Sequence, residues 1–423
     1  MSKIIIIIRE IKLLFSYDGV KLLFFGLPIA LILRTINRIF LVRIMFVNSE
    51  RIGEFIINPS IYLLQRENNI NTPKQKYIDL FYISKRIINN QLYLMLKRKI
   101  IILPYQFLDP IFKAQKKLDV LFKTKEKYQP LLPRRFKFHY FDKLPYCKNN
   151  IKFNIDEIKR GQTELLEKFG LNKDDKFVCF LIRDQAFLKH MYPEQNFDYH
   201  EYRNIDSNKF IEAAKALSDK GYYVFRMGKI QNKIFNANDP KIIDYANSDK
   251  KSDLLDIYLS AHCTFFSTTL SGLDNLLPIF NVPTVFIPIN LFMARQYNNY
   301  LISTKIYVDQ NGNKMSLKNL FKKDLIFRQK KEDFDQEKVV PLDPDSEQIK
   351  NLVIEMDDHI INSKPYTDYE NYLNEKFWNM YSHYYNIDKR SKQEIEVNGK
   401  LKVLSRFDIN FLKKNHEWFL DVN

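Results

Sequence analysis

Three short stretches in the second half of the chain collect residue types that hold a phosphorylated ligand. Arg183-Asp184 follows the apolar run Phe177–Ile182, Arg226 and Gly228 close the run Tyr222–Met227, and Ser267-Thr268-Thr269-Leu270-Ser271-Gly272 ends another apolar run. Arginine presents a planar fork that pairs with phosphate oxygens two bonds at a time. A Ser/Thr/Gly loop leading into a helix adds hydroxyls and backbone N–H groups to the same anion. Read singly, each has a plainer explanation: Arg183 as a salt-bridge partner of Asp184, and Ser271-Gly272 as a helix cap. Their convergence points to a diphosphate, which Arg183 and Arg226 would stabilise and the 267–272 loop would cradle. Asp244, Tyr245, Lys251 and Ser252 are secondary candidates for contacts to a ribose, a base or a phosphate.

These groups share a rim only if the runs before them are parallel strands of one sheet. The sequence from 171 onward alternates accordingly. Strands are expected at 177–182, 222–227, 241–246, 263–268 and 284–289, with helices near 206–220, 251–262 and 271–280 between them. Asp206 suits a helix N-cap, and Gly221 a helix end. Five β/α units in this order predict a doubly wound sheet, whose ligands bind at the carboxyl ends of the strands. The first half alternates too. Strands are expected at 40–47, 79–84 and 100–103, with helices after Glu54, near 89–97 and over 110–122. Gly53, Gly228 and Gly272 lie just past expected strands, where a crowded or left-handed backbone calls for glycine.

The fold class read from this pattern is α/β, with two Rossmann-like domains. An apolar and basic segment over 1–39 leads into a domain over 40–150 that ends in a Pro- and aromatic-rich connection at 127–150. A second domain covers 151–330. A charged stretch, helices at 346–361 and 367–385 and an Asn-Gly hairpin at 394–403 fill 331–423 and are expected to pack back on the domains.

Other chemistries lack their motifs. There is no GxGxxG, no GxxxxGK[ST] and no GxSxG, which argues against a dinucleotide fingerprint, a P-loop and a hydrolase elbow. The strings Asp333-Phe-Asp335 and Asp343-Pro-Asp345 fall outside the α/β alternation, and the histidines, His190 and His200 included, are scattered; no metal site is expected. Cys147, Cys179 and Cys263 are too far apart for a CxxC, which fits a reducing, cytoplasmic compartment.

Charge is divided unevenly. Residues 1–150 carry 27 Lys and Arg against 10 Asp and Glu, a net of +17, whereas the remainder is nearly neutral. So basic a segment suits an anionic partner, a membrane surface or an anionic acceptor above all. The apolar run Leu22–Leu33, beside Arg34, Arg38 and Arg43, is short for a spanning helix and suits peripheral association with an anionic membrane. Nucleic acid is the lesser alternative, because no recognised nucleic-acid motif occurs.

The series FVCFLIRD (177–184), EYRNID (201–206), GYYVFRMG (221–228), IIDYANS (242–248), KSDLLDIYLSAHCTFF (251–266) and SGL (271–273) resembles a bacterial family of glycosyltransferases, and its first strand more distantly resembles GDP-fucose fucosyltransferases. The resemblance covers about 150–310, with weaker extensions at NSERIGEF (48–55) and 302–321. It implies a GT-B fold: an N-terminal acceptor domain and a C-terminal nucleotide-sugar domain facing a central cleft. It also implies transfer of a hexosyl or fucosyl group to a glycan or glycolipid hydroxyl, with an arginine, here Arg183, binding the departing diphosphate without a metal. No cofactor is implied beyond the nucleotide-sugar donor. The chain departs from the family where Leu181 and Glu54 replace histidines. Glu54, with Glu50 second, then becomes the candidate base. The alternative is a chain that binds or scaffolds without transferring.

Overall fold

A computed structural model of the protein describes residues 17–124, 128–130, 143–191, 193–194, 204–289, 300–328, 330–387 and 405–419. The chain divides into two units, Met1–Phe153 and Asn154–Asn423. The Ile4–Ile8 run, His200, the Tyr202-Arg203 pair, most of the 127–150 connection and the 394–403 hairpin lie outside the described residues.

Unit 1 is built on a parallel sheet in the order β1 (Leu41–Val47), β2 (Tyr77–Ile83) and β3 (Ile101–Ile102). The helices Ile52–Glu67 and Asn90–Lys97 make the two crossovers. Arg43, expected at a membrane-facing surface, is instead interior. It faces its register partner Asp79 across β1 and β2, with Nε donating to Oδ1 at 2.6 Å and Nη2 to Oδ2 at 2.7 Å. A buried charge is tolerated when it is paired and hydrogen-bonded in this way.

Two helices pack on the same unit. The apolar run expected over 22–33 is part of a longer helical path: Tyr17–Lys21, a π turn at Leu22–Gly26, Leu27–Thr35 and a 3-10 turn at Ile36–Arg38. By length and composition its 19–38 portion is sufficient to cross a membrane. It lies against the helix Tyr105–Leu121, which begins five residues before the expected start at Pro110 and carries that proline inside it. Gly26 makes the room: a Cβ there would overlap the Pro110 carbonyl. Ala30 is fully buried, and Arg34 is tied to Asp119, the Gln115 carbonyl and Thr124.

Unit 2 holds β4 (Phe177–Leu181), β5 (Tyr223–Met227), β6 (Ile242–Ile243), β7 (Phe266–Thr268), β8 (Thr284–Ile289), β9 (Tyr300–Thr304), β10 (Ile306–Val308), β11 (Val340–Leu342) and β12 (Arg406–Phe407). Seven of them form one parallel sheet in the order β12-β9-β8-β7-β4-β5-β6, while β10 and β11 make a separate antiparallel ribbon. The chain starts in the middle at β4, steps outward to β6, then crosses back to β7 and runs outward the other way. That order is the doubly wound, Rossmann-type arrangement.

Period-two burial assigns the two layers. Val178 and Phe180 of β4 join Phe210, Ala214, Leu217, Leu352 and Val353, from the Ser207–Phe210 turn and the helices Ile211–Asp219 and Ser346–Glu355. Cys179, between them, turns to the opposite layer, where its Sγ meets the Leu259 carbonyl of the helix Asp253–His262 at 3.6 Å. The helix Ile155–Phe169 completes that layer, with Gly161 against the Tyr258 ring. The C-terminal residues supply the outermost strand, β12, and an aromatic core of Phe377, Trp378, Tyr381, Phe407, Phe411 and Trp418.

Several expected elements are shorter than the sequence suggested, the 100–103 and 263–268 strands being reduced to β3 and β7. The 241–246 strand is reduced to β6, because Asp244 turns the chain into a 3-10 turn. The 271–280 helix is a 3-10 turn, Gly272–Leu276, followed by one α turn, Leu277–Phe280.

Candidate functional site

The strand order reverses between β4 and β7, and the crevice outside their carboxyl ends is where a doubly wound sheet takes its ligand. Leu181 ends β4 and Thr268 ends β7, and the two are register partners. Beyond them the chains are stitched together. The Thr269 amide donates to the Leu181 carbonyl at 3.1 Å, and the Arg183 amide donates to Thr269 Oγ1 at 2.8 Å. Arg183 is therefore held by its backbone at the switch point; the residue is half-buried, with Nε and Nη2 buried.

Two hydroxyls of this loop, those of Thr268 and Thr269, are engaged within the chain. Ser267, Thr268 and Thr269 are buried. Thr268 Oγ1 donates to Asp274 Oδ1 at 2.7 Å, and the Ser271 amide donates to Asp274 Oδ2 at 2.6 Å. Asp274 is the N3 residue of a capping box headed by Ser271, so a carboxylate of the chain itself occupies the donors assigned to an anion. Leu270, at φ +66°, makes the turn that brings it there. Ser271 and Gly272 remain half-buried at the rim.

Arg226 lies inside the fold. It belongs to β5, paired with Phe180, and only 1% of it is exposed. Its guanidinium donates to the Lys233 carbonyl, to Gln231 Oε1 at 3.0 Å and, more distantly, to Asp244 Oδ1 at 3.5 Å. Burial lowers its pKa, and Asp244 and Asp184 pull it back. Asp184 is used in the same way, accepting from the Ala186 amide at 2.9 Å and the Asn232 amide at 2.8 Å. Arg226 and Asp184 thus shape the 228–235 loop. Gly228, at φ +150°, lets that loop turn, since a Cβ there would lie 2.6 Å from Gln231 Nε2.

The secondary candidates also make hydrogen bonds within the chain. Asp244 accepts from the Phe235 amide and Asn247 Nδ2, both at 2.8 Å. Tyr245 is fully buried and donates to Asp256 Oδ1 at 2.8 Å; desolvation raises the pKa of both partners. Lys251 donates to the carbonyls of Lys229 and Ala246, with its pKa lowered by burial. Ser252 caps the 253–262 helix and donates to Glu164 Oε2 at 2.7 Å.

In unit 1, Glu54 lies in the first turn of the 52–67 helix, just past the carboxyl end of β1. Asn48 organises that end, with Nδ2 3.4 Å from Glu54 Oε2 and Oδ1 accepting from the Glu50 amide at 3.1 Å. Glu50 and Glu54 are both half-buried. Among the described residues, no group of three or more His, Cys, Asp or Glu side chains is placed to hold a metal ion.

Sequence reading missed Asp274, Gln231 and Asn232. The first had a signal, since Ser271-x-x-Asp274 is a capping-box pattern. Gln231 and Asn232 had none, because their role depends on how the 228–235 loop folds over β5.

The order and parallel pairing of the strands make unit 2 a doubly wound α/β domain with its crevice at β4 and β7. No protein-family model matches the sequence, and no curated protein matches it. Solved structures with a partial likeness include E. coli ADP-heptose LPS heptosyltransferase II (TM-score 0.37, 14% identity, over 62% of this chain and 89% of that one). A glycosyl transferase family 9 protein from Veillonella parvula gives a TM-score of 0.35 at 11% identity, over 59% and 80% of the two chains. The iron-containing dodecameric glycosyltransferase TibC from enterotoxigenic E. coli gives 0.27 at 14%, over 58% of each. Likeness at this level carries no functional argument, and the fold class rests on the sheets themselves.

Proposed function

We propose that the protein is a glycosyltransferase of GT-B type that moves a sugar from a nucleotide-diphosphate donor to a glycan or glycolipid hydroxyl without a metal, in the cytoplasm. The observation that carries this reading is Arg183, fixed by its backbone at the switch point of a doubly wound sheet. A cation held there meets the charge that develops on a departing diphosphate, and it needs no reorganisation to do so. Ser271 and Gly272 are the rim contacts that accompany it. Glu54, with Glu50 as second choice, is the proposed base that takes the acceptor hydroxyl's proton. The nucleotide that binds narrows the donor, and turnover with its sugar conjugates decides between a hexosyl and a fucosyl group.

A thermal-shift screen of the full chain against ADP, GDP, UDP, CMP and dTDP tests the donor site. One nucleotide is expected to raise the melting midpoint, since a ligand at 100 times its Kd stabilises by about 2.7 kcal/mol. Arg183→Ala should abolish that shift in a chain that still unfolds cooperatively. A nucleotide shift that survives Arg183→Ala would refute the assignment. Binding without sugar turnover would favour the scaffold alternative.

A further inference from the structure

Unit 1 carries an apolar surface that its own core leaves uncovered. On the 17–38 helical path, Phe24 is 80% exposed, Ile39 79% and Ile32 58%. At the two ends of the 105–121 helix, Phe107, Leu121 and Phe122 are each more than half exposed. The two elements run side by side in the same direction. Phe25 and Phe107 have ring centroids 6.4 Å apart, Gly26 abuts Pro110, and the Arg34 guanidinium lies 5.6 Å from the Phe122 ring. The exposed residues of one helix therefore continue into those of the other at both ends.

The charges around this surface have one sign. Lys113, Lys116, Lys117, Lys123 and Arg38 are exposed. The acidic groups of the 105–121 helix, Asp109 and Asp119, are buried and matched by Lys113 and Arg34. The sequence contains no Asp or Glu from Gly19 to Ser49 or from Leu80 to Leu108.

We infer that this two-helix face docks on an anionic bilayer, lying in the interface without crossing it. An exposed apolar face rimmed by lysine suits the zone where acyl chains meet anionic headgroups. A second copy of the chain would bring the same positive charge to the contact, and a nucleic acid would leave Phe24 and Phe107 uncovered. Crossing is opposed by the packing. The helix would have to leave its neighbour, uncover Gly26 and Ala30, and carry Arg34 toward hydrocarbon without Asp119. The inference is independent of the glycosyl-transfer reading, because it needs neither a donor nor turnover.

The test mixes the full chain with preformed vesicles of phosphatidylcholine alone, and of phosphatidylcholine with phosphatidylglycerol, followed by cosedimentation. The chain should sediment with the anionic vesicles and be released by high salt. The variant Phe24→Glu/Phe107→Glu, altered only at exposed positions, should bind at least roughly tenfold more weakly with an unchanged melting midpoint. Lys116→Glu/Lys117→Glu should weaken binding in the same direction. Deleting residues 1–38 is a poorer probe, because it strips the cover from the 105–121 helix. Equal binding by the Phe variant, indifference to vesicle charge, or attachment that only detergent reverses would overturn the inference. So would a dimer that the Phe variant dissociates, or oligonucleotide binding, in a chain that ignores vesicles.

Discussion

Arg226 and Arg183 both end apolar strands in sequence, and three positions relative to the strand end separate their fates. Arg226 lies within β5, on the same side as Val224, so its side chain is drawn under the 228–235 loop and ties that loop to Asp244. Arg183 lies two residues beyond β4, where its amide donates to Thr269 Oγ1. The two substitutions should therefore separate. Arg226→Ala leaves Asp244 without its cation and Gln231 without its donor, and breaking a buried pair from one side costs about 3 kcal/mol or more. A large fall in urea-unfolding stability is expected, with any loss of nucleotide binding explained by unfolding. Arg183→Ala should show the reverse pattern. If Arg226→Ala is as stable as the parent yet loses nucleotide affinity, Arg226 is a ligand contact after all. Sequence could not separate the pair, because the end of a strand is its least legible feature.

At the scale of elements, most strands and helices could be read from periodicity because each buries one face or one stripe. Phe210, Ala214 and Leu217 mark the 211–219 helix, and the unbroken apolar run Phe177–Leu181 marks β4 as a strand buried on both faces. The failures have local causes. Asp274 captured the loop expected to hold phosphate, and Asp244 cut β6 short. The long-range closure by β12 was beyond reach, since a two-residue strand has no period. That closure depends on two buried carboxylates. Asp408 accepts from Ser303 Oγ at 2.8 Å and from the Phe411 amide at 2.9 Å, capping the helix Ile409–Lys414. Glu355, on the 346–355 helix, accepts from the Ile409 amide at 3.1 Å. Burial pushes Asp408 up to about 6 and Glu355 well above its usual range. A carboxyl whose folded pKa is raised keeps its proton better in the folded chain. Its favourable contribution is full below the unfolded value near 3.8 and is lost as pH rises through about 6. Asp408→Asn, which can still cap, should match the parent at pH 4 and exceed it at pH 8 by on the order of 2 kcal/mol. The readout is the difference between the two proteins. Other carboxylates act oppositely: at Glu370, hydrogen bonds from Lys413 and Thr367 outweigh burial and bring it to about 2. A difference that does not vary between pH 4 and 8 would show that Asp408 ionises normally.

The whole molecule joins two units of very different charge. Nearly all of the net +16 resides in the first 150 residues, while the rest of the chain balances its 39 basic residues with 40 acidic ones. A surplus of one sign opposes compaction through self-repulsion, and salt relieves that repulsion by shortening the screening length from about 10 Å at 0.1 M to about 3 Å at 1 M. The units have separate sheets and separate cores, so each is expected to unfold in its own transition. In calorimetric scans of the full chain, raising sodium chloride should move the unit 1 transition upward by several degrees and leave that of unit 2 nearly fixed. The assignment can be made independently. Gly26→Val should lower only the salt-sensitive transition, because its side chain meets Pro110, whereas Asp408→Asn should move only the other. Anionic vesicles should mimic salt on the first transition, since they supply the counter-charge that unit 1 lacks and bind its folded face. A single cooperative transition, or two that respond equally to salt, would mean that the basic charge of unit 1 is already neutralised within the fold.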